Sequence, residues 1–103
     1  KIGPGFRLPH PVGIVIGADT VIGADVTVYQ NVTFGRRTAS EAACPVIQDG
    51  TIVYAGAIIT GEITVGHDAT IGAGALVRHD VPSHGVALPA SGAIRPNKGH
   101  AAP

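Results

Sequence analysis

Apolar residues return along this chain at every sixth position. Ile2, Leu8, Ile16, Ile22, Val28 and Phe34 form one series, with two extra residues between Leu8 and Ile16. Ile47, Val53, Ile59, Val65, Ile71 and Val77 form a second, without interruption. Half of these key positions are followed at once by glycine: Gly3, Gly17, Gly23, Gly35, Gly66 and Gly72. Four residues after a key position stands a small or apolar residue, as at Thr20, Val26, Val32, Thr51, Ala57, Ile63, Ala69 and Ala75. Neither the helical period of about 3.6 nor the alternation of a half-buried strand produces a strict six. A triangular parallel β-helix does. Each hexapeptide is then a short strand plus a turn, and three hexapeptides make one coil. The key aliphatic points inward onto its equivalents above and below, the small residue fills the corner, and glycine is expected to ease the tight turn. Strands spaced about 4.8 Å apart give about four coils in a prism about 19 Å tall. The hexapeptide motif is the one associated with left-handed β-helices, an exception to the right-handed crossover rule.

The predicted fold is all-β: a left-handed parallel β-helix over residues 1–82, interrupted by an excursion loop at 36–45 and followed by an irregular tail at 83–103. Composition agrees. The chain has 11 Ile and 12 Val against 3 Leu, with 15 Gly, 8 Pro and no Met or Trp. β-Branched residues suit strands, and Gly and Pro at this density leave no room for a helix of ordinary length. At 103 residues the chain is one domain. A formal net charge of zero excludes a phosphate-neutralising nucleic-acid binder, and no apolar run approaches the roughly 18 residues of a membrane span. One cysteine, Cys44, forms no internal disulfide. The opening KIGPGF carries no charged-then-apolar leader, so a cytoplasmic setting is expected. A bare first coil at Lys1 and a thin core argue for a cap upstream and for self-association through the flat faces.

Regular coils are scaffold, and departures from them are where chemistry is sought. The first departure is Leu8-Pro9-His10-Pro11-Val12-Gly13-Ile14, and the second is Arg36 to Pro45. His10 lies between two prolines, which fix the backbone on either side. A neutral imidazole there can take a proton from a hydroxyl, although an ordinary turn histidine fits the spacing equally well. His67, two residues after Val65, is expected to point outward; His79 and His84 flank Asp80-Val81-Pro82, and His100 lies in the tail. No two of the five histidines have a clear metal-ligand spacing, so no metal is expected. Cys44 lacks an obvious activating base, and Arg36 and Arg37 are suited to a phosphate or carboxylate, or to solvent.

The run IGPGFRLPHPVGIVIGADTVIGADVTVYQNVTFG, then a loop, then PVIQDGTIVYAGAIITGEITVGHDATIGAGALVRHDVP, resembles the catalytic domain of the serine O-acetyltransferases. The resemblance runs from Ile2 to about Pro82, with His10 inside the two-residue insertion and YQNVTFG one coil later. It implies acetyl transfer from acetyl-CoA to a hydroxyl without metal, with His10 as general base and backbone N–H groups around the oxyanion. It also implies a homotrimer or dimer of trimers, with CoA in the groove between neighbouring prisms. The pantetheine arm would run along Gly35, Ala55 and Ala73, and Arg78 would meet the nucleotide phosphates. Arg37 and Cys44 belong to the loop that would meet the acceptor.

The chain departs from that pattern where the acceptor binds. The family carries Asp immediately before the catalytic histidine, and here it is Pro9. It carries Arg-His before the proline that ends the loop, and here the pair is Ala43-Cys44. Losing charge-assisted hydrogen bonds worth about 1.5–3 kcal/mol each weakens a serine site. A sugar or polysaccharide hydroxyl, needing no amine or carboxylate partner, is the alternative acceptor. A non-catalytic β-helix is the other reading; the threonines form no Thr-x-Thr ranks of an ice-binding face.

Overall fold

The computed structural model describes residues 1–40 and 43–90. In chain order the strands are β1 (Val15–Ile16), β2 (Val21–Ile22), β3 (Thr27–Val28), β4 (Thr33–Gly35), β5 (Val46–Ile47) and β6 (Ile52–Val53). There follow β7 (Ile58–Thr60), β8 (Thr64–Val65), β9 (Thr70–Ile71), β10 (Leu76–Val77) and β11 (Val86–Ala87). Each is only two or three residues long because a face accommodates one inward side chain before the chain must turn. The strands stack in parallel as three sheets: β2-β5-β8, then β3-β6-β9-β11, then β1-β4-β7-β10. We call these the first, second and third faces, in the order the chain visits them. Bridges Ile2↔Ile22, Arg7↔Thr27 and Val65↔Val81 extend the first two faces at their ends.

The six-residue series stacks in register. Ile22 pairs with Ile47 and Ile47 with Val65; Val28 pairs with Val53 and Val53 with Ile71. Ile16, Phe34, Ile59 and Val77 form the third column. From Ile22 onward these key residues are all buried, as are the corner residues Val26, Val32, Ala57, Ala69 and Ala75. The buried corner hydroxyl of Thr51 donates to the Gly66 carbonyl at 3.1 Å. Stacking is what makes the core continuous, since no single coil could enclose its own apolar side chains.

Two expectations are corrected. The helix does not end at Pro82: β11 pairs with β9 through Val86↔Thr70 and Ala87↔Ile71. Four full coils are followed by a fifth that covers two faces. The step from Val65 to Val81 is two residues shorter than a regular coil, so the period resumes after Val77 in a shifted phase and escapes a strict six-residue reading. Residues 91–103 of the expected tail lie outside the described residues.

The second correction concerns glycine. The left-handed turn residue stands three places after the key residue, at Asp25 (φ 56°), Asn31 (φ 60°), Asp68 (φ 56°) and His84 (φ 60°), or at Gly50 and Gly74. Glycines directly after key residues answer to crowding between coils instead. A Cβ at Gly3 would stand 2.7 Å from the Gly23 carbonyl carbon, and one at Gly66 would strike the Ser83 backbone. Gly35 is different, for a Cβ there meets nothing within 4 Å.

Phe34→Ala is expected to cost about 3–5 kcal/mol in urea unfolding, because the stacked columns collapse poorly around a deleted ring. Gly66→Ala is expected to lower the melting temperature, and Gly35→Ala to leave it unchanged. Equal effects at the two glycines would contradict the crowding argument.

Candidate functional site

His10 is presented by the insertion in the first coil. Pro9 and Pro11 have no N–H, so this segment cannot join the ladder between coils. Instead the Val12 N–H donates to the His10 carbonyl at 2.8 Å, closing a three-residue turn on Pro11. The Asn31 N–H donates to the Val12 carbonyl at 2.9 Å and fastens the insertion to the second coil. His10 is exposed at the edge between the second and third faces. Its ring centroid lies 6.3 Å from that of Tyr29, tilted by 41°, and Tyr29 stacks on Tyr54 at 5.2 Å and 13°. Among the described residues nothing hydrogen-bonds the His10 ring. On the same edge the Gln30 side-chain oxygen is buried without a partner among the described residues. Sequence reasoning noted Tyr29 and Gln30 only as part of the YQNVTFG run one coil below the insertion, assigned neither a role, and passed over Tyr54, which stands one coil further on.

The excursion leaves from the edge between the third and first faces. Arg36 Nη2 lies 2.9 Å from Asp19 Oδ2. That hydrogen bond, with a smaller contribution from Cys44, raises the Arg36 pKa above its ordinary value. Arg37 Nη2 donates to the Arg78 carbonyl at 2.8 Å, and its guanidinium lies over Gly61, where a Cβ would come within 3.2 Å of it. Arg37, Arg78 and His79 line a cavity of about 170 Å³. Cys44 is only 6% exposed, with its sulfur 2.9 Å from where a Cβ on Gly17 would stand. Within this chain the Cys44 thiol is buried against the prism beside Gly17.

The named residues therefore fall on two edges flanking the third face. His10, Ala55 and Ala73 share one edge; Ala55 and Ala73 stand in adjacent coils, tied where the Gly74 N–H donates to the Ala55 carbonyl at 2.9 Å. Gly35, Arg37, Cys44 and Arg78 share the other. Gly35 pairs with Thr60 across the third face from Ala55, so the three small residues do not make one column. An arm lying along the Ala55–Ala73 edge leaves Gly35 behind. Between the two edges, Val15, Ile58 and Leu76 stand exposed in one outward column, interrupted by Thr33 in the second coil. On the remaining edge, His67 and His84 meet with ring centroids 4.9 Å apart. The sequence reading gave them no relation, because the shortened last coil hid their shared corner.

Hexapeptide coils stacked into a left-handed prism place this protein in the hexapeptide-repeat class. No family model matches the chain. It is 46% identical over 83 residues to a serine acetyltransferase of Bacillus licheniformis, a match covering 80% of this chain and 38% of that protein. A serine acetyltransferase solved in complex with CoA superimposes with a TM-score of 0.82 at 38% identity, over 88% of this chain and 37% of that one. Soybean serine acetyltransferase complexed with serine gives a TM-score of 0.79 at 39% identity, over 84% and 36%. By sequence and by fold the chain belongs to the serine O-acetyltransferase family. It spans well under half the length of the curated relatives it matches. No helix among the described residues is long and apolar enough to cross a membrane.

Burial makes Cys44 a test of this geometry. A thiol-specific reagent is expected to label it on denaturation and hardly at all in the folded protein; rapid native labelling would mean that the loop presents the sulfur to solvent.

Proposed function

We propose that this protein is an acetyl-CoA-dependent O-acetyltransferase with serine as its acceptor. The observation that carries the reading is the 46% identity to a serine acetyltransferase along the β-helix that bears the His10 insertion. His10 acts as general base, taking the proton of the acceptor hydroxyl as its oxygen attacks the thioester carbonyl. The tetrahedral intermediate collapses with loss of the CoA thiolate, which leaves with a proton. Backbone N–H groups hold the oxyanion, the interaction that contributes most to acyl transfer of this kind. No metal takes part in this reading.

Acetyl-CoA is a substrate here. Ala55 and Ala73 are small enough to let the pantetheine arm approach the main chain, and the pocket of Arg37 and Arg78 suits its phosphates. Those two features lie on different edges of one prism. A homotrimer, or a dimer of trimers, joins the histidine edge of one copy to the arginine edge of the next. The column of Val15, Ile58 and Leu76 supplies apolar surface for that packing. The acetyl-CoA supply makes the cytoplasm the natural setting.

A second acceptor class has its own observation. Tyr29 stacked on Tyr54 beside His10 is a platform on which the C–H face of a sugar ring can rest, and Pro9, Ala43 and Cys44 supply no charge for an amino acid. One assay separates the readings: thiol release from acetyl-CoA with serine, with simple sugars and with no acceptor. Serine-dependent release that falls about 10²–10⁴-fold in His10→Ala is the expected result. Release with sugars alone transfers the reading to a carbohydrate acceptor, and no release with either acceptor overturns both. Leu76→Glu is expected to reduce the mass measured by light scattering from trimer to monomer; an unchanged mass removes the third face from the interface.

A further inference from the structure

The edge between the first and second faces carries side chains that acetyl transfer does not use. His67, Asp68 and His84 each offer a ligand atom there, and these atoms lie within 4.8 Å of one another. His67 Nδ1 is 3.1 Å from Asp68 Oδ2, and the two imidazoles meet edge to face at 84°. All three residues are exposed.

The backbone beneath them is closely specified. The His67 N–H donates to Gln48 Oε1 at 3.1 Å, the Asp68 N–H to the Asp49 carbonyl at 2.9 Å, and the His84 N–H to the His67 carbonyl at 2.9 Å. The shortened step into the fifth coil is what brings His84 to this corner. His84 holds a left-handed φ of 60°, a conformation that glycine adopts freely and that His, Asn and Asp adopt more readily than other side chains. Two imidazole nitrogens and one carboxylate oxygen are a donor set of borderline divalent cations, zinc above all. Asp49 stands on the same edge and adds negative potential, whereas Asp25 there is paired with Arg7 at 3.6 Å.

We propose that this edge binds a divalent cation of the zinc class through His67, Asp68 and His84, with water completing the coordination. Metal–ligand distances of about 2.0–2.2 Å are reached by rotating exposed side chains, without moving the corner backbone. The ion ties the fourth coil to the fifth and stabilises the folded chain by mass action. His67 also lines a groove of about 450 Å³ floored by Val21, Val46 and Ile47, so a bound cation borders a surface on which a small ligand can lie. Cation binding here is independent of the acetyl-transfer chemistry.

The test is calorimetric titration of the chelator-treated full chain with zinc chloride, in a buffer that does not bind metal. One ion per chain with micromolar affinity is expected, together with a rise in melting temperature. His67→Ala and His84→Gly are each expected to weaken binding at least tenfold; glycine is chosen because it adopts the left-handed turn without strain. Melting each variant in chelator shows that it is folded, and His84→Asn serves if the glycine variant is not. Absence of saturable binding overturns the proposal, as does wild-type affinity in folded variants of both histidines.

Discussion

Three inward side chains per coil, each seated on its counterpart one coil away, hold this molecule together. The interior is too narrow for anything else: between Ile22 and Val77 every key position is buried, and the corners admit little beyond Thr, Val and Ala. Because each coil is covered by its neighbours, stability is a property of the stack rather than of any hexapeptide. The same constraint decides where the chain can vary. An extra residue inside a strand would turn the next inward side chain to solvent. Additions and losses are confined to corners, and there they occur: the insertion that bears His10, the excursion that bears Arg37, and the shortened step before Val81.

What could be read in the sequence follows from that division. The inward columns impose a strict period, so the β-helix, its coils and its two large interruptions were legible from spacing alone. Corner geometry leaves a weaker imprint. A loss of two residues before Val81 shifts the phase while keeping the coil, and a search tied to one phase reads the continuation as irregular. The glycines after key residues looked like turn residues because glycine usually is one. Their role, clearing space for the backbone of the next coil, becomes visible only when the coils are stacked.

The candidate site was legible in part for the same reason. His10 announced itself by lying in an insertion flanked by prolines. The aromatic pair beneath it, the unpartnered Gln30 oxygen and the meeting of His67 with His84 depend on which residues share a corner, one full coil apart. The burial of Cys44 was equally hidden, because spacing does not show that the return of the excursion carries it under the edge beside Gly17. The arrangement also separates tasks. One edge presents His10 and a ledge of small residues, the other presents arginines, and the flat face between them is largely apolar.

A stack bound only by contacts between neighbours tends to unzip one coil at a time from its ends, as a column of coins slides apart. The hydrogen bond from Arg37 to the Arg78 carbonyl interrupts that progression. It begins in a loop leaving the second coil and ends on the fourth, so it spans the third without depending on it. Fraying that reaches the fourth coil must break this bond as well as the ladder before it goes further, so the step costs more there than elsewhere in the stack. The excursion thus serves as a mechanical brace as well as a carrier of side chains.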